Sequence, residues 1–267
     1  MLSDYLTAIR PLNCILAGFA VLIGASISNF GFIFNFTILT AMVSAFFICG
    51  AGQVINDYFD FEIDKRKGKH QLENKNKYLF YALILFVIGN TLAWLVNITA
   101  FQIAGMITIL LVVYSGLLHR YKILGNILVA LGTALPLVFG ATIFERYQTV
   151  LLLAGAAFFA NWAREIVKDV QDEKADFGTK ITLPMLVRAH VLDLIVTLLV
   201  LLAIITSFLP VYFELFGNFW FLILIGLSSL LFIKATIDFR SLRIEESQTT
   251  FKIAMAIALL GFFSGVL

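Results

Sequence analysis

The sequence predicts an all-α membrane protein, a polytopic bundle of nine transmembrane helices with an active-site cavity facing the cytoplasm. Three observations predict it. Of 267 residues, 61% are hydrophobic and 13% are charged, about half the charged share of a soluble globular chain. The mean hydropathy is +0.96. The apolar residues fall into runs near the roughly 20 residues that cross a bilayer as a helix, and Lys and Arg collect at alternate ends of those runs.

Taken in order, the runs place spans at 12–29, 34–55, 78–97, 99–118, 126–144, 149–168, 186–209, 217–237 and 250–267, within a single domain, 1–267. The first is read as a membrane helix rather than a cleaved signal, because many similar runs follow it. The break at 97–99 is marked only by Asn97 and rests on length, since 78–118 is too long for one span. Pro136, between Gly132 and Gly140, is expected to kink the fifth helix. Cys14 and Cys49 lie inside apolar runs and read as small buried hydrophobes.

Orientation follows from the basic residues. Counted from a cytoplasmic N-terminus, Arg146 is the one member of the 19 Lys and Arg residues that falls on the far side. The positive-inside rule then puts the loops after the second, fourth, sixth and eighth helices in the cytoplasm, in a multi-pass protein of the plasma membrane. A net charge of +2, with no basic cluster interleaved with aromatics, gives no footprint for a nucleic acid.

Two acidic stretches carry the chemistry. Asp57, Asp60 and Asp64 close the second run. Asp169, Asp172 and Asp176 repeat the same i, i+3, i+7 spacing after the sixth. On a helix each triplet shares one face. Six carboxylates in two matched stripes repel one another unless something positive lies between them. Mg²⁺ suits such a site, because it takes one or two carboxylates and fills its shell with water and phosphate oxygens. Two such ions between the stripes would hold a diphosphate. Lys168, Arg164, His119 and Arg120 lie beside the stripes as candidate contacts for its remaining oxygens. The chemistry implied is ionisation of an allylic diphosphate with its lipid tail in the bundle. Glu145, Glu214, Glu245 and Glu246 read as solvated helix ends. Tyr58, Phe59 and Trp162 lie near enough to shield a carbocation, although packing accounts for each singly.

Asn56-Asp57-x-x-Asp60-x-x-x-Asp64 resembles the first signature of the UbiA superfamily of intramembrane prenyltransferases. Arg164 to Asp176, with Lys168-Asp169 and the Asp172-x-x-x-Asp176 pair, resembles its second. The resemblance covers the whole chain and includes Tyr114-Ser115 ahead of the loop after the fourth helix. It implies Mg²⁺, as two ions, bridging a prenyl diphosphate between Asn56/Asp60 and Asp172/Asp176, and a lateral opening toward lipid. Arg10-Pro11-Leu12-Asn13 and Thr182-Leu183-Pro184 are similar to members that add a second geranylgeranyl chain to geranylgeranylglyceryl phosphate. In that reading Arg10 and Asn13 orient the acceptor's phosphate, and Asp57 or Asp64 takes the proton of its hydroxyl. His119-Arg120 stands where relatives carry Lys-Arg, and Lys122 is the candidate substitute. Two alternatives stand beside this one: the same chemistry on an aromatic, quinone-precursor or haem acceptor, and a cation-coupled transporter using its intramembrane acids. Oligomeric state is open at this level.

Overall fold

The architecture is that of a computed structural model. It describes residues 2–66, 72, 74–118, 122–176, 178, 180–215 and 217–267, with the side chains of 2, 3, 63, 66, 117, 118 and 174–176 excepted. Among these residues the chain is helical and contains no β-sheet. Nine long helices follow one another: α1 Pro11–Ser28, α2 Phe36–Phe59, α3 Lys75–Val96, α4 Ile98–Val113, α5 Lys122–Ala141, α6 Gln148–Asp176, α7 Ala189–Tyr212, α8 Phe219–Arg240 and α9 Ile244–Ser264. A π-helical turn, Tyr114–Leu118, extends α4, and short helices occupy Leu2–Ala8, Phe61–Arg66 and Leu183–Leu186.

Eight of the nine, α1 to α8, are long and apolar enough to cross a membrane. The ninth predicted span does not meet that measure. Its helix begins at Ile244, and its first turns carry Glu245, Glu246, Gln248 and Lys252. That polarity has internal uses. The Ser247 hydroxyl donates to the Ala235 carbonyl at 2.8 Å, and Gln248 Nε2 donates to the Arg164 carbonyl at 2.9 Å, fixing α9 to α8 and α6.

The bundle's outer surface is apolar. Phe80, Leu83, Val87 and Trp94 line one side of α3, and Leu194, Leu198, Leu201 and Ile205 one side of α7, all exposed. Helical spacing makes each set a continuous stripe. Stripes of that extent suit hydrocarbon rather than water, and the protein is an integral membrane protein.

Several helix starts are set by asparagine. The side chains of Asn35, Asn97 and Asn218 accept the N–H groups of Ile38, Ala100 and Phe221 at 2.7–2.9 Å, capping α2, α4 and α8. Each satisfies a backbone donor that a helix terminus otherwise leaves open. Asn97 thereby makes a sharp corner of the expected break, with an extended backbone between α3 and α4. Its amide also donates to the Thr142 carbonyl at 3.0 Å.

Packing follows small residues. A Cβ on Gly24 would overlap the backbone of Leu137, and one on Gly140 the backbone of Val21, so α1 and α5 meet backbone to backbone as membrane helices with small residues do. Helix α5 runs through Pro136 to Ala141. Helix α2 packs on α3, α6 on α7, and α8 on α9. One apolar core gathers around α2 and α3, a second where α1, α5, α6, α8 and α9 meet, and a third among α6 to α9.

Candidate active site

Helices α2 and α6 outlast their apolar runs. The second run was expected to end at 55, but α2 continues to Phe59, with Asp60 as its C-cap. The helix does not then run on unbroken to Asp64, as the spacing alone suggests. It is interrupted at Asp60 and restarts at Phe61–Arg66. The backbone keeps i to i+4 bonds across the interruption: Asp60 N–H donates to Asn56 O, and Asp64 N–H to Asp60 O, both at 2.9 Å. Helix α6 is unbroken to Asp176, so Asp169, Asp172 and Asp176 do share one helix face.

The first stripe is divided among different partners. Asp57 Oδ1 accepts from the Arg10 guanidinium at 2.9 Å. Arg10 adopts a left-handed backbone, φ 47°, ahead of Pro11. This conformation costs a non-glycine residue of order 1 kcal/mol and marks the position as constrained. Behind it Asn13 Nδ2 donates to Gln53 Oε1 at 3.3 Å. Asp60 and Asp64 are both buried. Asp60 Oδ2 accepts from Asn56 Nδ2 at 3.2 Å and faces Lys180 Nζ at 3.9 Å. Asp60 Oδ1 is buried with no hydrogen-bond partner.

The second stripe is differently disposed. Both oxygens of Asp169 are taken: Oδ1 by Lys122 Nζ at 2.9 Å, and Oδ2 by Asn126 Nδ2 at 2.7 Å. Asp169 is only 1% exposed. Lys122 stands 4.0 Å from Asp172, whose side chain is far more open. Arg164 and Lys168 both turn to the buried carboxylate of Glu165, at 2.6 and 3.4 Å.

A path of contacts joins the stripes. The Phe59 ring lies against Gly116 in the π turn, and the Tyr114 ring lies against Gly125 in the first turns of α5. A Cβ on Gly125 would come within 2.6 Å of that ring, so glycine is required for Tyr114 to lie there. Lys122, which opens α5, donates its N–H to the Ile181 carbonyl at 3.0 Å. Lys180, next to Ile181, reaches back to Asp60. The π turn thus sits between the two acidic stripes, where such turns often mark function.

Of the residues singled out from sequence, Asn56, Asp57, Asp60, Tyr114, Lys122, Asp169 and Asp172 lie on or next to these contacts; Arg10 and Asn13 attach to α2 through Asp57 and Gln53, Arg164 and Lys168 turn to Glu165 on α6, and Asp64 follows Asp60 by one turn. His119 and Arg120 lie outside the described residues, as does the side chain of Asp176. Asn126, Glu165, Lys180 and Thr182 were not assigned roles from sequence. Asn126 had a local signal, a polar residue four positions after Lys122 in an apolar helix. Lys180 had none beyond its contribution to the positive-inside count. Tyr58 and Trp162 pack: Lys75 lies over the Tyr58 ring at 4.6 Å, and Trp162 tilts against Phe158.

The residues present fit a hard divalent cation. Asp60 Oδ1 is a buried carboxylate oxygen with no hydrogen-bond partner, on a side chain whose other oxygen accepts from the Asn56 amide. Among the described residues no three His, Cys, Asp or Glu side chains form a preassembled cage. Mg²⁺ does not need one, since water and phosphate oxygens complete its shell.

The chain matches the model of the UbiA prenyltransferase family over residues 17–260. It is 33% identical to the digeranylgeranylglyceryl phosphate synthase of Pyrococcus furiosus, covering 99% of this chain and 98% of that one. It is 34% identical to the synthase of the same name from Methanocaldococcus jannaschii, covering 100% and 97%. A solved structure described as giving insights into digeranylgeranylglyceryl phosphate synthase in membranes superposes with a TM-score of 0.85 at 33% identity, over 99% of this chain and 98% of that one. A UbiA homologue from Archaeoglobus fulgidus, bound to GPP and Mg²⁺, shares the fold, with a TM-score of 0.70 at 19% identity over 98% and 99%. The chain belongs to the UbiA prenyltransferase family and is an integral-membrane prenyltransferase.

Proposed function

We propose that this enzyme transfers a geranylgeranyl group from its diphosphate to geranylgeranylglyceryl phosphate, forming the second ether of an archaeal-type membrane lipid. The observation that carries this reading is the near-full-length match to relatives bearing that name; the geometry supplies a site of suitable chemistry. Asn56, Asp60, Asp172 and Asp176 would hold Mg²⁺, proposed as two ions; the homologue bound to GPP and Mg²⁺ supports a metal beside the diphosphate. When bound, the metal offsets the charge that grows on the departing diphosphate.

The protein's own groups do the rest. Lys122, held toward Asp172 by Asp169 and Asn126, presents an ammonium to the diphosphate, with His119, Arg120, Arg164 and Lys168 as further cations. Tyr114, fixed on Gly125, borders the reacting carbon. The C1–O bond breaks with its electron pair leaving on pyrophosphate, and the glycerol hydroxyl oxygen bonds to C1. Arg10 and Asn13 hold the acceptor's phosphate. Asp57 or Asp64 is the carboxylate that accepts the hydroxyl proton. The site faces the cytoplasm across the plasma membrane. Membership of a prenyltransferase family displaces the transporter reading.

The test is product analysis with purified protein, Mg²⁺ and geranylgeranyl diphosphate, offering geranylgeranylglyceryl phosphate and 4-hydroxybenzoate as competing acceptors. An EDTA-sensitive diether is expected. Prenylated hydroxybenzoate in its place would overturn the acceptor and leave the prenyltransfer.

A further inference from the structure

After the second acidic stripe the chain returns across the site as a short strap, residues 180–182. It is tied down by the bond from Lys122 N–H to the Ile181 carbonyl at 3.0 Å. The strap carries two side chains toward the interior. Lys180 is mostly buried and sits 3.9 Å from Asp60 Oδ2. Thr182 is fully buried. It occupies the N-cap position of Leu183–Leu186, yet its hydroxyl makes no cap bond.

Two features set this contact apart. Other lysines paired with buried carboxylates here are closer: Lys122 to Asp169 at 2.9 Å, Lys234 to Asp238 at 2.6 Å and Lys168 to Glu165 at 3.4 Å. At 3.9 Å the Lys180 ammonium faces its carboxylate beyond hydrogen-bond reach. Further, among the described residues two side-chain polar atoms are buried without a partner, Asp60 Oδ1 and Thr182 Oγ1. One belongs to the carboxylate under the strap and the other to the strap itself. Buried polar groups are nearly always bonded, so an orphan calls for a ligand or another explanation. An orphan acceptor that suits a cation, with a withheld ammonium facing its carboxylate and an orphan hydroxyl two residues further along the strap, matches a phosphate bound alongside a metal ion.

We propose that Lys180 and Thr182 bind the diphosphate of the prenyl donor, donating from Nζ and Oγ1 to its non-bridging oxygens. The assignment rests on the donor reading above and adds a second ammonium, on the Asp60 side, to the one that Lys122 supplies beside Asp172. It gives this chain a cation on the strap in addition to those of the loop that carries His119-Arg120.

The experiment uses full-length protein in nanodiscs and geranylgeranyl thiolodiphosphate, whose bridging sulfur resists ionisation. Binding is titrated at fixed Mg²⁺, and the Mg²⁺ requirement is titrated at fixed analogue. Lys180→Gln is expected to weaken analogue binding by about 10-fold or more, the scale of one hydrogen bond between charged groups. Lys180→Arg is expected to retain most of the affinity, and Thr182→Val to lose roughly 3- to 10-fold. The KM for the acceptor should not move. If Lys180 is only the counter-ion of Asp60, Lys180→Gln leaves analogue affinity unchanged or tighter and lowers the Mg²⁺ requirement, and that outcome overturns the proposal. Where Lys180→Gln lowers the melting temperature, Thr182→Val tests the same contact without removing a charge, and unchanged binding there removes Thr182. Failure of the wild type to bind the analogue would instead sink the donor reading, and this proposal with it.

Discussion

Asp60 and Asp169 are both buried carboxylates of the candidate site, and their surroundings are opposite. Asp169 has both oxygens bonded, to Lys122 and Asn126. Asp60 keeps one oxygen unpartnered, while the other accepts from Asn56 at 3.2 Å and lies 3.9 Å from an ammonium. A saturated buried carboxylate has already recovered its desolvation cost from the protein, so it can position neighbours but has little left for a ligand. An unsaturated one is stable only if something else arrives. In the function proposed here, identical residue types at matched spacing would therefore separate into a ligand-binding acid and a positioning acid. Asp238 provides a control, being a third buried acid, saturated by Lys234 and Arg243 at 2.6 Å each on α8.

The comparison breaks most readily at Asp60. Asp60→Asn keeps the shape and removes the charge that a metal requires. Turnover should fall by about 10³-fold, since a metal supplies several kcal/mol to the transition state. The melting temperature should hold or rise, because a buried carboxylate with one oxygen unpartnered and its ammonium 3.9 Å away becomes a neutral amide. A variant within 10-fold of wild type would end the metal assignment at Asp60.

Asp169→Asn should act differently. Lys122 loses its charge partner while remaining mostly buried, so activity is expected to drop roughly 10- to 100-fold, the usual scale for groups that orient a ligand's direct contacts. Stability should fall as well. The joint loss is the signature of a positioning acid, and Lys122→Gln combined with Asp169→Asn should cost little more than either alone. Additive losses in that cycle, measured as kcat/KM for the donor, would return Asp169 to the ligand set.

How far this division was legible in sequence depends on what spacing encodes. The i, i+3, i+7 repeat located both stripes because helix periodicity is local. Periodicity does not say where a helix yields, and the interruption at Asp60 is decided by its capping geometry. Nor does it say which oxygen is bonded, because the partners Asn126, Lys122 and Lys180 come from other parts of the chain. Hydropathy ended α2 and α6 early for a related reason: backbone bonds continue into polar residues where the apolar signal stops. The polar start of α9 hid its first turns, and only the bonds of Ser247 and Gln248 to neighbouring helices explain them.

Arg10 and Asp57 give an intermediate effect. The Arg10 side chain is half exposed, so the pair itself adds at most about 1 kcal/mol to stability. If Arg10 holds the acceptor's phosphate, Arg10→Gln should raise the acceptor KM about 10-fold and leave the donor KM unchanged. Equal rises in both constants would place Arg10 at the diphosphate instead.

The smallest effect on turnover is expected at Asp238. Asp238→Asn removes a carboxylate as deeply buried as Asp169 and doubly ion-paired, but it leaves Lys234 and Arg243 roughly half exposed, where water can take over their solvation. The melting temperature should fall by a few degrees, while kcat and both KM values stay within about 2-fold. A saturated acid distant from the chemistry then costs only stability, one beside it costs stability and rate, and an unsaturated one costs rate alone. Should Asp238→Asn lower kcat as far as Asp169→Asn does, saturation would cease to separate positioning from structural acids in this bundle. The α8–α9 end would then have to be coupled to catalysis, with Gln248, bonded to the carbonyl of Arg164, as the connection to test next.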